Sequence, residues 1–412
     1  MHNIVKNRRV RIALSIAGTL IVACLLTAWV YRSNIQRLFF VSSLFSGREQ
    51  YDRFNRIADL FPHSTMTASP KPYVWPDGEP IDLPEQYSWK GQDVRVADFL
   101  AETDTSAVLV LQDGKLRFEE YWLTGGVTTN WLSMSVAKSF VSAAIGIAVG
   151  EELIDGVDDP ITKYVPELNG SAYEDVPIRD ILQMSSGAGW DENYDDPASD
   201  INRMGRIFAL GGSMDEFVPT LERAREPGTY NRYNSMDTQA LGMLLVRATG
   251  QSITSYMQTK LWHPLGMESP AYWIIDDNGM ELAFGGLNAT ARDYAKIGEL
   301  YRLEGDWQGA QIVPASWIRQ SLTADRPHLV SGQNPNSENT FGYGYQWWLP
   351  EGDDNEFLAS GVYGQYIYVH PGSRIVIVKL SAFSDYATSQ DESSYRKHES
   401  IQFFRSIVAE LN

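Results

Sequence analysis

Ser135-Val136-Ala137-Lys138 opens an apolar stretch that runs to Val149 and stops at Gly150. An α-helix advances about 3.6 residues per turn, so a serine and a lysine three apart share a face and their hydroxyl and amine can share a hydrogen bond. At a helix start the free backbone N–H groups and the dipole favour developing negative charge, which assists an alkoxide and can hold an oxyanion. A lysine near its ordinary pKa of about 10.4 is a poor base at neutral pH, but burial among Ala, Val, Ile and Phe lowers that value. The chemistry this predicts is nucleophilic attack by Ser135 with Lys138 in proton transfer. Alone the motif is weak: roughly one Ser-x-x-Lys is expected by chance in a chain this long. A helix cap beside a snorkelling lysine gives the same letters.

A second segment adds a third group. Pro227-Gly228-Thr229-Tyr230-Asn231-Arg232-Tyr233-Asn234-Ser235 is a turn leading toward a helix expected from Asp237, with Leu241-Gly242 beyond it. The turn and the helix hold Tyr233 from both sides. A phenol beside Lys138 is expected to be pushed toward phenolate by the ammonium and to relay the serine proton. The other reading is a tyrosine packed beneath a loop, and Tyr230 is its confusable neighbour. Other hydrolase layouts fit worse. There is no Gly-x-Ser-x-Gly elbow, and of the six histidines only His370 lies near a strand end, where a structural or surface role is the better reading.

The elements that must position these groups are legible in outline. Ala107–Gln112 and Lys115–Trp122 read as strands joined by an Asp113-Gly114 hairpin, and strand character returns at Gly342–Leu349, Gly364–His370 and Arg374–Phe383. Helical stretches fall at Ser135–Val149, Ile178–Met184, Asp237–Thr249, Ile253–Leu261, Ala291–Tyr301, Pro314–Leu322 and Glu399–Leu411. The proline-rich stretch 61–84 reads as an extended connector. Strands at both ends with helices between predict an α+β fold: one antiparallel sheet from 51–154 and 336–412, and a helical lobe over 155–335 inserted between its halves. The cleft between them is the default site. Asp191, Asp195 and Asp196, with Trp190 and Tyr194, either line its mouth and meet a cationic amine or form a solvated acidic loop.

Composition excludes whole classes. Of 412 residues 43% are hydrophobic, so the chain as a whole is not disordered, and 52 acidic against 34 basic side chains leave −18, unsuited to a nucleic-acid partner. One cysteine, Cys24, allows no internal disulfide, and the histidine spacing offers no zinc site. Residues 12–31 carry no charge, with four cations before them and Arg32 and Arg37 after, which predicts a single membrane span with a cytoplasmic amino terminus. Residues 1–50 are then a basic tip, anchor and juxtamembrane segment, and residues 51–412 a domain on the periplasmic side of a bacterial inner membrane. Without 1–50 the body holds 27 basic against 51 acidic residues, or −24. A cleaved signal peptide and a lipoprotein box at Ile21-Val22-Ala23-Cys24 are the competing readings.

Ser135-x-x-Lys138, the Pro227-Gly228 turn, Tyr233 six residues after the proline and Leu241-Gly242 together resemble the penicillin-recognising serine hydrolases, in the branch of class C β-lactamases, D-alanyl-D-alanine carboxypeptidases and esterases. Within it Trp131–Phe140, Gly285–Ala295, Gly342–Trp348 and Ser360–Tyr366 are most similar to 6-aminohexanoate-dimer hydrolases. The resemblance covers about residues 55 to 405 in matching order. It implies a β-lactamase/transpeptidase-like fold, Ser135 as acylated nucleophile, Lys138 and Tyr233 as proton-transfer pair, and an oxyanion hole from the backbone N–H of Ser135 and Val362. Ser235, Trp190, Asp191 and Tyr363 are the expected substrate contacts. No metal or organic cofactor is implied. Two departures stand out. Tyr233-Asn234-Ser235 stands where class C enzymes carry Tyr-x-Asn, and their Lys-Thr-Gly is absent, the nearest segment being Ala359-Ser360-Gly361 with no cation. Lacking that cation, the chain is expected to act on a small amide or ester and poorly on β-lactams or peptidoglycan. A carboxypeptidase or β-lactamase, or a non-catalytic receptor or scaffold, are the alternatives.

Overall fold

The computed structural model describes residues 2–44, 50–352, 354–386 and 395–412. Alternation along its strands explains the architecture. In β2 (Thr105–Gln112) Leu109 and Leu111 join one apolar cluster while Val108 and Val110 join another. The same division separates Ile367 and Val369 from Tyr366 and Tyr368 in β10 (Gln365–His370), and Val376 and Val378 from Ile375 and Ile377 in β11 (Ile375–Ser381). Successive side chains point to opposite faces, so a strand apolar at every position must be covered on both.

These strands form the centre of a seven-stranded antiparallel sheet. With β3 (Lys115–Tyr121), β7 (Gly342–Tyr343), β8 (Trp348–Leu349) and β9 (Phe357–Gly361), its order is β7-β8-β9-β10-β11-β2-β3. The β2–β3 hairpin turns through Asp113 (φ 54°) and Gly114 (φ 67°), the left-handed pair that an Asp-Gly turn supplies. One face is covered by α6 (Ala291–Arg302), which seats Gly298 where an added Cβ would lie 2.8 Å from both Ile367 and Val376. The other is covered by α7 (Lys397–Leu411), whose Phe404 ring packs on Tyr366 and Tyr368.

The region from Gly342 to Leu349, expected as one strand, is two short strands around a tight excursion. Gln346 adopts φ 63° there and sends its amide to Leu182 O at 2.7 Å, while Gly344 passes so close to Ser321 that a side chain would collide. A second sheet also appears, formed by β1 (His63–Met66), β5 (Ala271–Ile274), β6 (Leu287–Ala289) and β4 (Trp131–Leu132), in the order β1-β5-β6-β4. It draws two strands from within 155–335, so that segment is not wholly helical, and α6 from the same segment lies on the large sheet. These strands have only two to four residues, too short for alternation to show in the sequence.

Between the sheets and the helices runs α3 (Ala137–Gly150), buried from Ala137 to Ala148 and packed against α5 (Ser235–Thr249). Of the expected helices, Ile178–Leu182, Ile253–Met257 and Ala315–Ser321 are also present, and α4 (Asp200–Ala209) is an additional one. At the amino end, α1 (His2–Val30) presents Ile12–Val30 fully exposed, long and apolar enough to cross a bilayer. The next helix, α2 (Arg32–Leu44), packs on α4. Asn34 donates to Leu210 O at 2.8 Å, Arg37 pairs with Asp277 at 2.7 Å, and the Phe40 and Phe61 rings lie 6.2 Å apart. The first part of the 1–50 segment beyond the apolar run is therefore seated on the body.

Candidate active site

Ser135 sits in the single 3₁₀ turn Met134–Val136 that feeds α3. Met134 before it has φ 47°, a left-handed conformation that is costly for an unbranched apolar residue and is held here by burial. On the far side β9 ends at Gly361, where a Cβ would lie 2.7 Å from Ser133 O and 3.0 Å from Ser135 N. Only glycine lets the strand come that close. Val362 follows it and lines the two cavities that meet at Ser135.

One turn along α3, Lys138 is 1% exposed and its Nζ has three neighbours: Ser135 Oγ at 2.9 Å, Ser235 Oγ at 3.1 Å and Phe284 O at 3.0 Å. Burial pulls its pKa down to about 7, against the opposing pull of Glu192 and Asp237. A neutral amine has two N–H groups and one lone pair. The Phe284 carbonyl can only accept. The Ser235 hydroxyl gives its own proton to Glu192 Oε1 at 2.6 Å, so it accepts from Lys138. The lone pair is left for the hydroxyl of Ser135.

Glu192 is the residue that sequence reasoning missed. It takes the Ser235 hydroxyl and, at 3.1 Å, the Ser235 backbone N–H; it also accepts from Tyr194 OH at 2.9 Å and from the Trp190 indole. An acid between Trp190 and Tyr194 was in plain view, but Asp191-Glu192-Asn193 is also the composition of a solvated turn. Asp191, expected at the substrate, turns its carboxylate to the Asn193 N–H at 2.9 Å, although the residue does line the polar cavity. Trp190 also lines that cavity and is nearly buried. Tyr363 lines neither cavity: its ring packs on Phe54 and Tyr386. Its φ of 64°, one residue past Val362, turns the side chain into the core.

Tyr233 lies just before α5, with its ring centroid 5.0 Å from Lys138 Nζ and its phenol near enough to Ser135 for the serine to act on its pKa. Two contacts fix it: its N–H donates to Glu338 Oε1 at 2.8 Å, and its ring stacks on Trp348 at 5.3 Å. The expected phenolate is not what this environment favours. Burial first, then Tyr343 and Glu192, push the phenol's pKa well above its ordinary value, so Tyr233 is a neutral O–H. The lysine is thus poised to lose its proton near pH 7 while the phenol keeps its own, so the two groups differ in protonation state. Tyr230 packs under the Arg225 guanidinium at 4.1 Å instead.

This arrangement, a serine and a lysine at the start of a buried helix beside the end of strand β9 of an antiparallel sheet, with a tyrosine from the loop before α5, is that of a serine hydrolase of the β-lactamase and penicillin-binding type, which works through an acyl-enzyme. The beta-lactamase family profile matches residues 95–399, and the chain belongs to that family. It is 29% identical over 345 residues to the 6-aminohexanoate-dimer hydrolase of Paenarthrobacter ureafaciens, covering 81% of this chain and 85% of that one. A Bacillus anthracis structure, a 6-aminohexanoate-dimer hydrolase candidate, superposes with a TM-score of 0.79 at 23% identity, over 89% of this chain and 96% of its own. A class C beta-lactamase superposes at 0.56 with 16% identity, over 77% and 94%.

Proposed function

We propose that the protein cleaves a small amide or ester through an acyl-enzyme on Ser135, with Lys138 and Tyr233 as its proton-transfer pair. The hydrogen-bond count at Lys138 carries the reading: two N–H groups are spent on Phe284 O and Ser235, leaving a lone pair aimed at Ser135. Lys138 takes the hydroxyl proton as Ser135 Oγ attacks the carbonyl carbon. The N–H groups of Ser135 and Val362 hold the oxyanion. Tyr233 gives its proton to the departing nitrogen or oxygen and recovers one from the Lys138 ammonium. Water then repeats the sequence on the acyl-enzyme.

Residues 1–50 are read as a cytoplasmic tip, the anchor 12–31 and a juxtamembrane segment, and residues 51–412 as the hydrolase domain outside the cytoplasm. The exposed apolar face of α1 and the cations before it support this. Carbonate extraction of membranes should leave the full-length protein in the pellet. A soluble, shortened chain would point to a cleaved signal sequence instead.

The full chain in detergent, treated with a fluorophosphonate and with p-nitrophenyl esters beside Ser135→Ala, tests the catalytic reading. Labelling confined to the wild type and located on Ser135 is the expected result. Labelling that survives the substitution, or no turnover of any ester or amide, would leave a receptor or scaffold.

A further inference from the structure

Two cavities meet at Ser135, and they differ in chemistry. The first, about 670 Å³, is the more polar of the two, with Glu192, Arg232, Tyr233, Glu338 and Lys397 in its lining beside aromatic rings. The second, about 470 Å³, is apolar: Leu38, Val41, Phe61, Phe208, Ile274 and Phe284 line it. Resting on the reading of Ser135 as nucleophile, we propose that the second cavity is an acyl-chain pocket and that the substrate is an amphiphile, an ester or amide of a medium-chain fatty acyl group with a polar leaving group.

The direction follows from the proton donor. A leaving group must depart toward the acid that protonates it, and Tyr233 lines the polar cavity and not the apolar one. With the carbonyl oxygen held between Ser135 and Val362, the acyl substituent has the other cavity to enter. Leu38 and Val41 belong to α2, so the helix after the apolar span forms one wall, docked by the Arg37–Asp277 pair and the Asn34 bond. Leu38 is eight residues beyond Val30, roughly 12 Å along a helix.

The opposite wall holds a glycine with no local reason to be one. Gly205 stands inside α4, where glycine weakens a helix. A Cβ there would meet only Val41 Cγ1, at an ordinary 3.9 Å. Its absence of a side chain keeps the pocket open.

The test uses the full chain in amphipol and p-nitrophenyl esters from acetate to decanoate. The ratio kcat/KM should climb by roughly fourfold per added methylene until the pocket is full. Gly205→Leu, which puts an isobutyl group into the cavity, should cut the octanoate-to-acetate ratio at least tenfold, whereas Gly205→Ala moves it less than threefold. A flat or falling profile in the wild type, or an unchanged ratio in Gly205→Leu, overturns the pocket while leaving the serine chemistry standing. Equilibrium binding of decanoate to Ser135→Ala decides the matter without turnover. Tighter binding than to Ser135→Ala/Gly205→Leu supports the pocket, equal binding rejects it, and partitioning into the carrier is common to both.

Discussion

Glu192 accepts a hydrogen bond from the hydroxyl of Ser235 across 2.6 Å, and that bond leaves Ser235 an acceptor toward Lys138. With its proton committed to the carboxylate, Ser235 receives a hydrogen from the amine; as an ammonium Lys138 donates to Ser135 as well, and only on losing that proton does it have free electrons left for Ser135. A carboxylate with no hydrogen bond to Ser135 or Lys138 thereby sets the donor order at Ser235, the neighbour of both.

Glu192→Gln should therefore do two things at once. It removes the negative charge that favours the ammonium form, so the acid limb of the kcat/KM profile moves to lower pH. It also lets an amide N–H face Ser235, scrambling the donor order and lowering kcat by about 10²-fold. A purely structural role for Glu192 would lower activity without moving the limb.

The activity of the wild type should rise with pH through about 7, as Lys138 loses its proton, and then level. The same depression has a stability consequence of fixed sign. A lysine whose folded pKa lies below its unfolded value of about 10.4 contributes stability above that value, and the contribution is lost as pH falls through about 7. Lys138→Met, inactive at all pH values, should have its greatest advantage in thermal midpoint over the wild type at pH 6, and a smaller one at pH 9. An advantage that widens toward alkaline pH would contradict a neutral buried amine.

Tyr233→Phe separates acid from base. Nitrophenolate leaves without a proton, so nitrophenyl ester hydrolysis should fall less than about tenfold, while an alkyl amide should lose about 10²- to 10⁴-fold. Equal losses on both substrates, measured as kcat, would mean that Tyr233 serves Ser135 and not the leaving group.

Gly361→Ala places a methyl 2.7 Å from Ser133 O and 3.0 Å from Ser135 N, atoms of the backbone that cannot swing away. The strand end must shift, at a cost of about 1–3 kcal/mol in denaturant unfolding. A displaced Val362 N–H should lower kcat by about 10²-fold with KM little changed. Wild-type turnover would remove Val362 from the oxyanion hole.

Cephalosporins should be poor substrates. Ala359-Ser360-Gly361 brings no cation to the end of β9, and the cations lining the polar cavity are otherwise engaged: Arg232 on Glu338 at 3.2 Å, and Lys397 over the Trp348 ring at 3.9 Å. Rapid nitrocefin hydrolysis, or release of D-alanine from a peptide, would show that one of them meets the carboxylate after all.

The pairing of Ser135 with Lys138 was legible because three residues on one helix face is a local relation, and a run of Ala, Val and Ile announces burial before any coordinate is known. The hairpin at Asp113-Gly114 was legible for the same reason. Glu192 was not, because an acid in an acidic loop looks alike whether it faces water or Ser235. Tyr363 was misplaced by one positive φ, which no residue type announces at a tyrosine.

The sequence by itself determined the chemistry available: a serine, a lysine one helical turn away, a phenol on a tethered loop, and an apolar amino-terminal run. Tertiary structure decided the protonation states and the two cavities that meet at Ser135. Burial sets the lysine near 7 and holds the phenol neutral, and both effects depend on what surrounds a group in space, much of it residues remote in the chain. The apolar cavity likewise exists only where α2, α4 and the second sheet converge, and no pattern within any one of them encodes that meeting.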